Sequence, residues 1–154
     1  MKLGDLERKQ CLKGVYIITT RLNDRRGGMT ASWVCRAAQS PPVMSAAIHL
    51  KSHTGQLIKE SQRFVIHLIS REEMALARRF GLSSGHKKDK FQGLDLTESG
   101  GGLPVLSQAL GYMECQVIDQ VAVYDHTLFL GLVVEEKLFR RGQPLIFSRR
   151  EFEA

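Results

Sequence analysis

The sequence predicts a mainly β domain: a small barrel or closed sheet of six to seven strands, with two helices packed on its outside. Three observations carry this. Short runs rich in β-branched and aromatic residues recur along the 154 residues, each bounded by glycine, proline or polar turns. Two stretches carry helical spacing of apolar residues together with capping residues. Strands and helices do not alternate regularly, which argues against a doubly wound parallel sheet.

Taken in order, Gly14 to Thr20 reads as the first strand and Asn23 to Gly28 as a polar turn with two glycines. Met29 to Ala38 reads as a second strand, completing a hairpin, and Ser40-Pro41-Pro42 breaks it because neither proline can donate to a ladder. Val43 to Leu50 is a third, largely apolar strand. A short helix follows, capped by Thr54 and running through Gln62, with Leu57 and Ile58 as its buried face. Phe64 to Ile69 is a strand. Ser70 and Glu73 have the spacing of a capping box ahead of an apolar stripe at Met74, Ala77 and Phe80. Arg78 and Arg79 suit the negative end of that helix, and Gly81 ends it. Leu82 to Gly102 is polar and glycine-rich, a long connection of the kind that is usually functional or mobile. Strands over Gly111–Ile118, Thr127–Glu135 and Leu145–Ser148 complete the chain, the first with Met113, Cys115 and Val117 on one face and Glu114 and Gln116 on the other. No internal repeat or linker divides the chain, so residues 1–154 are expected to form a single domain.

Composition narrows the function. No apolar run approaches the ~20 residues of a membrane span, and the N-terminus has no signal-peptide core, so a cytoplasmic protein without a membrane partner is expected. Cys11, Cys35 and Cys115 are an odd, widely spaced set, which disfavours disulfides or zinc; Cys35 and Cys115 are expected to be buried thiols. The net charge of +6 suits an anionic ligand. The basic pairs, among them Arg25-Arg26, Arg78-Arg79, Lys87-Lys88 and Arg149-Arg150, are scattered, and aromatic residues make up only 7%, so nucleic acid is not the expected partner. His49 and His53 stand four apart but fall at a strand end and in a turn, so no metal site is expected. Dinucleotide, Walker, zinc-protease and nucleophile-elbow motifs are missing from the sequence.

Two constellations remain. Met29 to Trp33 carries small side chains at Ala31 and Ser32 that let a flat ligand approach the backbone, and Lys51-Ser52-His53-Thr54 places a cation and hydroxyls at a helix N-terminus, a site suited to an anion. Tyr124-Asp125-His126-Thr127 brings a polar turn into an apolar strand, where His126 could donate to a ligand or shuttle a proton.

These segments, in order, resemble the flavin reductase family with the FMN-binding split-barrel fold. Gly14 to Thr20 resembles its opening strand, Gly28-Met29-Thr30-Ala31-Ser32 its G-M-T-x-S signature, and Ser40-Pro41-Pro42 the S-x-x-P-P region. Ser52, Thr54, Ile58 and Ser61 match an S-x-T-x-x-x-I-x-x-S stretch, Asp89-Lys90-Phe91 a D-[RK]-F element, Gly102 to Leu106 a G-L-P-V-L element, and Asp125-His126 with Gly131 a D-H-x-x-x-x-G element.

The resemblance implies a homodimer of antiparallel Greek-key split β-barrels with FMN, or FAD, near the subunit interface. It implies an NAD(P)H:flavin oxidoreductase with NAD(P)H as co-substrate and a monooxygenase or electron-acceptor protein as partner. Thr30, Ala31, Ser32 and Trp33 would border the isoalloxazine, with Met29 in the same set; Ala47, Ile48 and His49 would lie along it, and Lys51, Ser52, His53 and Thr54 would hold the phosphate. His126 would be the catalytic residue on the nicotinamide side. His67 stands where asparagine is common in the family, and Trp33 where a second serine is common. Such changes resemble those of relatives that pass electrons to a protein or to iron, so a flavin-bound electron carrier or ferric-chelate reductase is the alternative.

Overall fold

The computed structural model describes residues 2–82, 85 and 89–147, so Lys87-Lys88, Arg149-Arg150, the end of the last expected strand and part of the polar connection lie outside the described residues. In chain order the elements are α1 (Asp5–Gln10), β1 (Lys13–Gly14), β2 (Tyr16–Leu22), β3 (Arg25–Ala31), β4 (Val34–Ala38), β5 (Val43–His49), α2 (His53–Ser61), β6 (Arg63–Leu68), a 3-10 turn (Arg71–Glu73), α3 (Met74–Gly81), β7 (Leu96–Glu98), β8 (Pro104–Leu106), β9 (Gly111–Val123), β10 (His126–Leu138) and β11 (Ile146–Phe147). Among the described residues, no helix is long and apolar enough to cross a membrane.

Seven strands form one antiparallel sheet in the order β3-β2-β6-β9-β10-β5-β4. Its two edges, β3 and β4, are consecutive in the chain and separated by Ser32 and Trp33 alone. Two linking residues reach about 10 Å at most, so the two edges come together at this crossing and the sheet curls on itself. The Ala47 N–H donates to the Trp33 carbonyl at 3.0 Å, tying the crossing to β5. Met29 to Ala38 is therefore not one strand of a hairpin. It is two strands on opposite edges of the sheet, and the crossing between them closes it.

Alternation along the strands supplies two apolar layers. Ile18, Phe64, Ile66, Cys115 and Phe129 face the interior with Ala46 and Ile48, and α2 adds Ile58 to this cluster. Val15 and Ile17 face outward against Leu76, Ala77 and Phe80 of α3. Burial on both faces explains why Val15 to Thr20 and Phe64 to Ile69 read as continuous apolar runs. Gly131 sits where a β-carbon would lie 2.7 Å from the Phe64 ring, so the interior is packed at that point down to the backbone.

Several local expectations are corrected. The turn before β3 is Asn23-Asp24 alone, with Asn23 left-handed at φ 57°, and Gly27 and Gly28 belong to the strand. Gly28 serves close packing instead: a β-carbon there would lie 2.5 Å from the Phe80 ring. Ser52, not Thr54, caps α2, its hydroxyl accepting from the Gly55 N–H at 3.1 Å, while Thr54 is buried in the first turn. The Ser70 hydroxyl accepts from the Glu72 N–H at 3.2 Å, so a 3-10 turn stands where a capping box with Glu73 was expected. Cys35 is exposed because β4 is a sheet edge with little covering it; Cys115 is buried. Glu114, on the face opposite Met113 and Cys115 as expected, is nonetheless only 6% exposed and accepts hydrogen bonds from the Ser99 hydroxyl and the Gly101 N–H. The polar connection contains β7, which pairs with β8, and among the described residues the last expected strand contributes Ile146-Phe147, paired with β1.

Candidate functional site

The rim where β5 ends and β10 begins gathers rings. His126, the first residue of β10, is paired with His49, the last of β5, and the Leu50 N–H donates to the Asp125 carbonyl at 2.9 Å. The turn into β10 holds Tyr124 at φ 48°, which brings Asp125 alongside His126. The Trp33 ring lies against His126, centroids 4.7 Å apart and planes 33° apart, and His49 meets His126 edge-on at 5.2 Å. Trp33 is 46% exposed, and the His126 side chain 18%. His126 Nδ1 is 2.8 Å from Asp125 Oδ1, and this bond holds the Asp125 carboxyl below the usual carboxylate range. His49 Nδ1 accepts from the Lys51 N–H at 3.1 Å.

A second feature is a charged cleft of about 450 Å³, in which Arg25, Arg26 and Lys90 stand against Asp24 and Asp89, with Gly27, Gly28 and His53 also in its lining. Lys90 is buried, and its Nζ donates to the carbonyls of Gly28 at 3.0 Å and Phe80 at 2.8 Å. Burial lowers its pKa from the ordinary lysine value. The Arg26 guanidinium lies 4.9 Å from the Phe91 ring centroid and pairs with Asp89 at 3.3 Å. His53 opens α2, so the cleft borders a helix N-terminus.

The expected site residues divide among these surroundings. Trp33, His49 and His126 come together at the rim. Ala47 stands on β5 opposite Leu128, half-buried, while Ile48 points into the interior core. Ala31 is buried with that core, and Ser32 is half-buried at the crossing. The Thr30 hydroxyl is taken by the Ala77 carbonyl of α3. Met29 Sδ receives the Ser52 hydroxyl at 3.5 Å, which links the signature strand to the cap of α2. Lys51 is exposed, His53 lines the cleft, and Thr54 is packed behind them. His67 is not in either feature: it is fully buried between the Ile17 carbonyl and the Leu106 N–H.

Arg26, Lys90 and Asp125 carry the parts that residue patterns alone did not assign. Asp89-Lys90-Phe91 and Asp125-His126 were visible as motif elements, but one of the two carbonyls that hold Lys90 comes from Gly28 of strand β3, distant in sequence. The donor set suits a flat ring system with an anionic tail. Small residues and an exposed aromatic face lie at one end, and cations cluster around a helix N-terminus at the other.

Comparison with known proteins agrees with this composition. The flavin reductase-like domain family matches residues 8–154. A high molecular weight rubredoxin of Moorella thermoacetica is 34% identical over 88% of this chain, and a ferric-chelate reductase (NAD(P)H) of Archaeoglobus fulgidus 27% identical over 88%. The chain spans 60% of the Moorella protein, 81% of the Archaeoglobus protein and 24% of a diflavin flavoprotein of Synechocystis. Among solved structures, a flavin reductase in its native state superposes with a TM-score of 0.82 at 31% identity, covering 96% of this chain and 94% of that one. Nitrilotriacetate monooxygenase component B of Mycobacterium thermoresistibile gives 0.83 at 27%, covering 91% and 78%. With an antiparallel sheet closed at Ser32-Trp33, a ring-lined rim and a cationic cleft, the chain belongs to the flavin reductase-like domain family.

Proposed function

We propose that this chain is an NAD(P)H:flavin oxidoreductase that holds FMN between the ring-lined rim and the cationic cleft. The observation that carries the reading is the juxtaposition of Trp33, His49 and His126 beside the small-residue crossing at Ala31-Ser32. When bound, the flavin supplies the acceptor for the hydride and the means of passing electrons on. The chain's own residues bind and orient. Met29 to Trp33 and Ala47 to His49 border the ring, and Lys51, Arg26 and Lys90 offer positive charge to the phosphate, with Ser52, His53 and Thr54 shaping the helix end beside them. One cationic cluster suits the single phosphate of FMN better than the longer tail of FAD. His126 contacts the nicotinamide side, where proximity of donor and acceptor supplies much of the rate.

The reading includes a homodimer, supported by Ile118, Val121, Val123 and Tyr124, which stand exposed on the β9–β10 hairpin. It also includes a cytoplasmic setting, where the nicotinamide donor is available. Purified protein loaded with FMN is expected to lose its visible absorbance anaerobically on addition of NADH or NADPH. Failure to bind either FMN or FAD would overturn the reading.

A second reading is favoured by the relatives: delivery of electrons to a protein or iron acceptor with the flavin retained. The Moorella rubredoxin and the Synechocystis diflavin flavoprotein are longer chains that contain a region similar to this one. Anaerobic reduction followed by filtration separates the two, because a carrier keeps its flavin and a flavin reductase releases it.

A further inference from the structure

We propose that His49 and His126 form a pair of opposite tautomers that reads the carboxamide of the nicotinamide donor, with Asp125 as the positioning residue that sets His126. The inference rests on the nicotinamide-side placement of His126 above and adds to it a specific recognition chemistry.

The argument starts from what each ring nitrogen can do. An ionised carboxylate only accepts hydrogen bonds, and the Asp125 carboxyl is held in that form. The 2.8 Å contact with Asp125 Oδ1 therefore puts the proton of His126 on Nδ1 and leaves Nε2 of the neutral ring as an acceptor. His49 is the reverse. Its Nδ1 accepts from the Lys51 N–H, so the neutral ring carries its proton on Nε2 and presents a donor.

The two rings are neighbours in the β5–β10 ladder, 5.2 Å apart and inclined at 71°. A primary carboxamide has one carbonyl acceptor and one NH₂ donor. One imidazole donor and one imidazole acceptor match it, whereas two rings of the same tautomer would match only half of it. A half-turn of the His126 ring about its Cβ–Cγ bond would put ring carbons where the nitrogens stand and undo the match. The Asp125 bond and the tilted Trp33 ring, 4.7 Å away between centroids, oppose that rotation. Asp125 is in turn fixed through its backbone carbonyl by the Leu50 N–H, one residue beyond His49. The four side chains thus form one unit, in which the Lys51 N–H sets the His49 tautomer and the Asp125 carboxylate, anchored by the Leu50 N–H, sets that of His126.

The test combines a spectroscopic readout with donor discrimination. Nitrogen-15 NMR of the flavin-loaded protein, well above the ordinary imidazole pKa, should show His126 protonated on Nδ1 and His49 on Nε2. Asp125→Ala should move His126 toward the Nε2–H form without changing FMN affinity. In turnover, reduced 3-acetylpyridine adenine dinucleotide, which keeps the carbonyl but lacks the NH₂, should fall about tenfold below NADH in kcat/KM, the scale of one hydrogen bond. Asp125→Ala and His126→Leu should bring that ratio close to one. His49→Leu should lower kcat/KM for both donors alike, and His49→Gln, which keeps a donor, should restore most of it. Like tautomers on the two rings, or a discrimination ratio unchanged by Asp125→Ala, would overturn the inference while leaving the flavin reductase reading in place. A protein that binds FMN but oxidises neither donor would overturn both.

Discussion

Histidine is used in opposite ways in two regions of this molecule. Between β2, β6 and β8, His67 is wholly buried: its Nδ1 lies 2.9 Å from the Ile17 carbonyl, and its Nε2 accepts from the Leu106 N–H at 3.0 Å. Both nitrogens are committed to the backbone, and the ring pins the β8 segment to the sheet. At the rim, His126 and His49 each commit Nδ1, and among the described residues neither Nε2 has a hydrogen-bond partner. A histidine with no nitrogen to spare is structural. One with a nitrogen to spare at a partly exposed rim is available to a ligand.

The largest expected effect tests that contrast through stability. His67→Leu leaves the Ile17 carbonyl and the Leu106 N–H unpaired inside the protein, at a cost of about 2–5 kcal/mol. His126→Leu, at a partly exposed site, should change stability by about 0.5 kcal/mol or less. Urea unfolding of the two variants measures both; comparable losses would erase the distinction.

The next effect is pH-dependent and belongs to His67. Desolvation brings its pKa down to about 4 from an ordinary 6.5, against the raising effect of the Ile17 hydrogen bond. The unfolded chain therefore binds the proton more readily than the folded one. Stability from this residue is fully present above pH 6.5 and is lost as pH falls toward 4. The fall from 6.5 to about 4 corresponds to about 3 kcal/mol. It should appear as an extra loss of wild-type stability over that window compared with His67→Gln, and parallel curves would contradict it.

How far the sequence foretold this contrast depends on where the partners lie. Phe64 to Ile69 was legible as a strand because its neighbours bury both faces. The role of His67 was not, since Ile17 and Leu106 reach it only after the sheet and the β8 segment assemble. Met29 to Ala38 read as one strand for a similar reason: local patterning shows extended chain, and nothing local shows Ser32-Trp33 crossing between edges. Glu114 alternates like a surface residue, and its burial depends on Ser99 and Gly101 folding over it. Sites built from neighbours in sequence were better marked. Asp125-His126 and the Ser52 cap of α2 are of this kind, and even there Thr54 was taken for the cap because both residues have the right chemistry.

Function at the rim supplies the third effect. His126→Leu should lower kcat/KM for nicotinamide oxidation about tenfold or more, the scale of one positioned polar group. FMN affinity should stay within about twofold. A loss of flavin instead of turnover would move His126 from the nicotinamide side to the cofactor itself.

The smallest effect separates the rim from the cleft. If the cations of the cleft hold the phosphate, removing one should matter to FMN and not to riboflavin, which has no phosphate. Arg26 is the better probe than Lys90, because Lys90 also supports the Gly28 and Phe80 carbonyls and its loss would disturb the fold. Arg26 is one-third exposed and paired with Asp89, so solvent screens it. Arg26→Ala should therefore weaken FMN by about 1 kcal/mol at low salt, less at high salt, and leave riboflavin unchanged. Lys51→Ala should behave alike, whereas Trp33→Ala should weaken both ligands equally because it meets the ring system. Titration of flavin fluorescence in each variant measures these differences. Equal losses of FMN and riboflavin in Arg26→Ala would place the phosphate elsewhere, and the cleft would then be a consequence of packing around Gly28 rather than a half of the site.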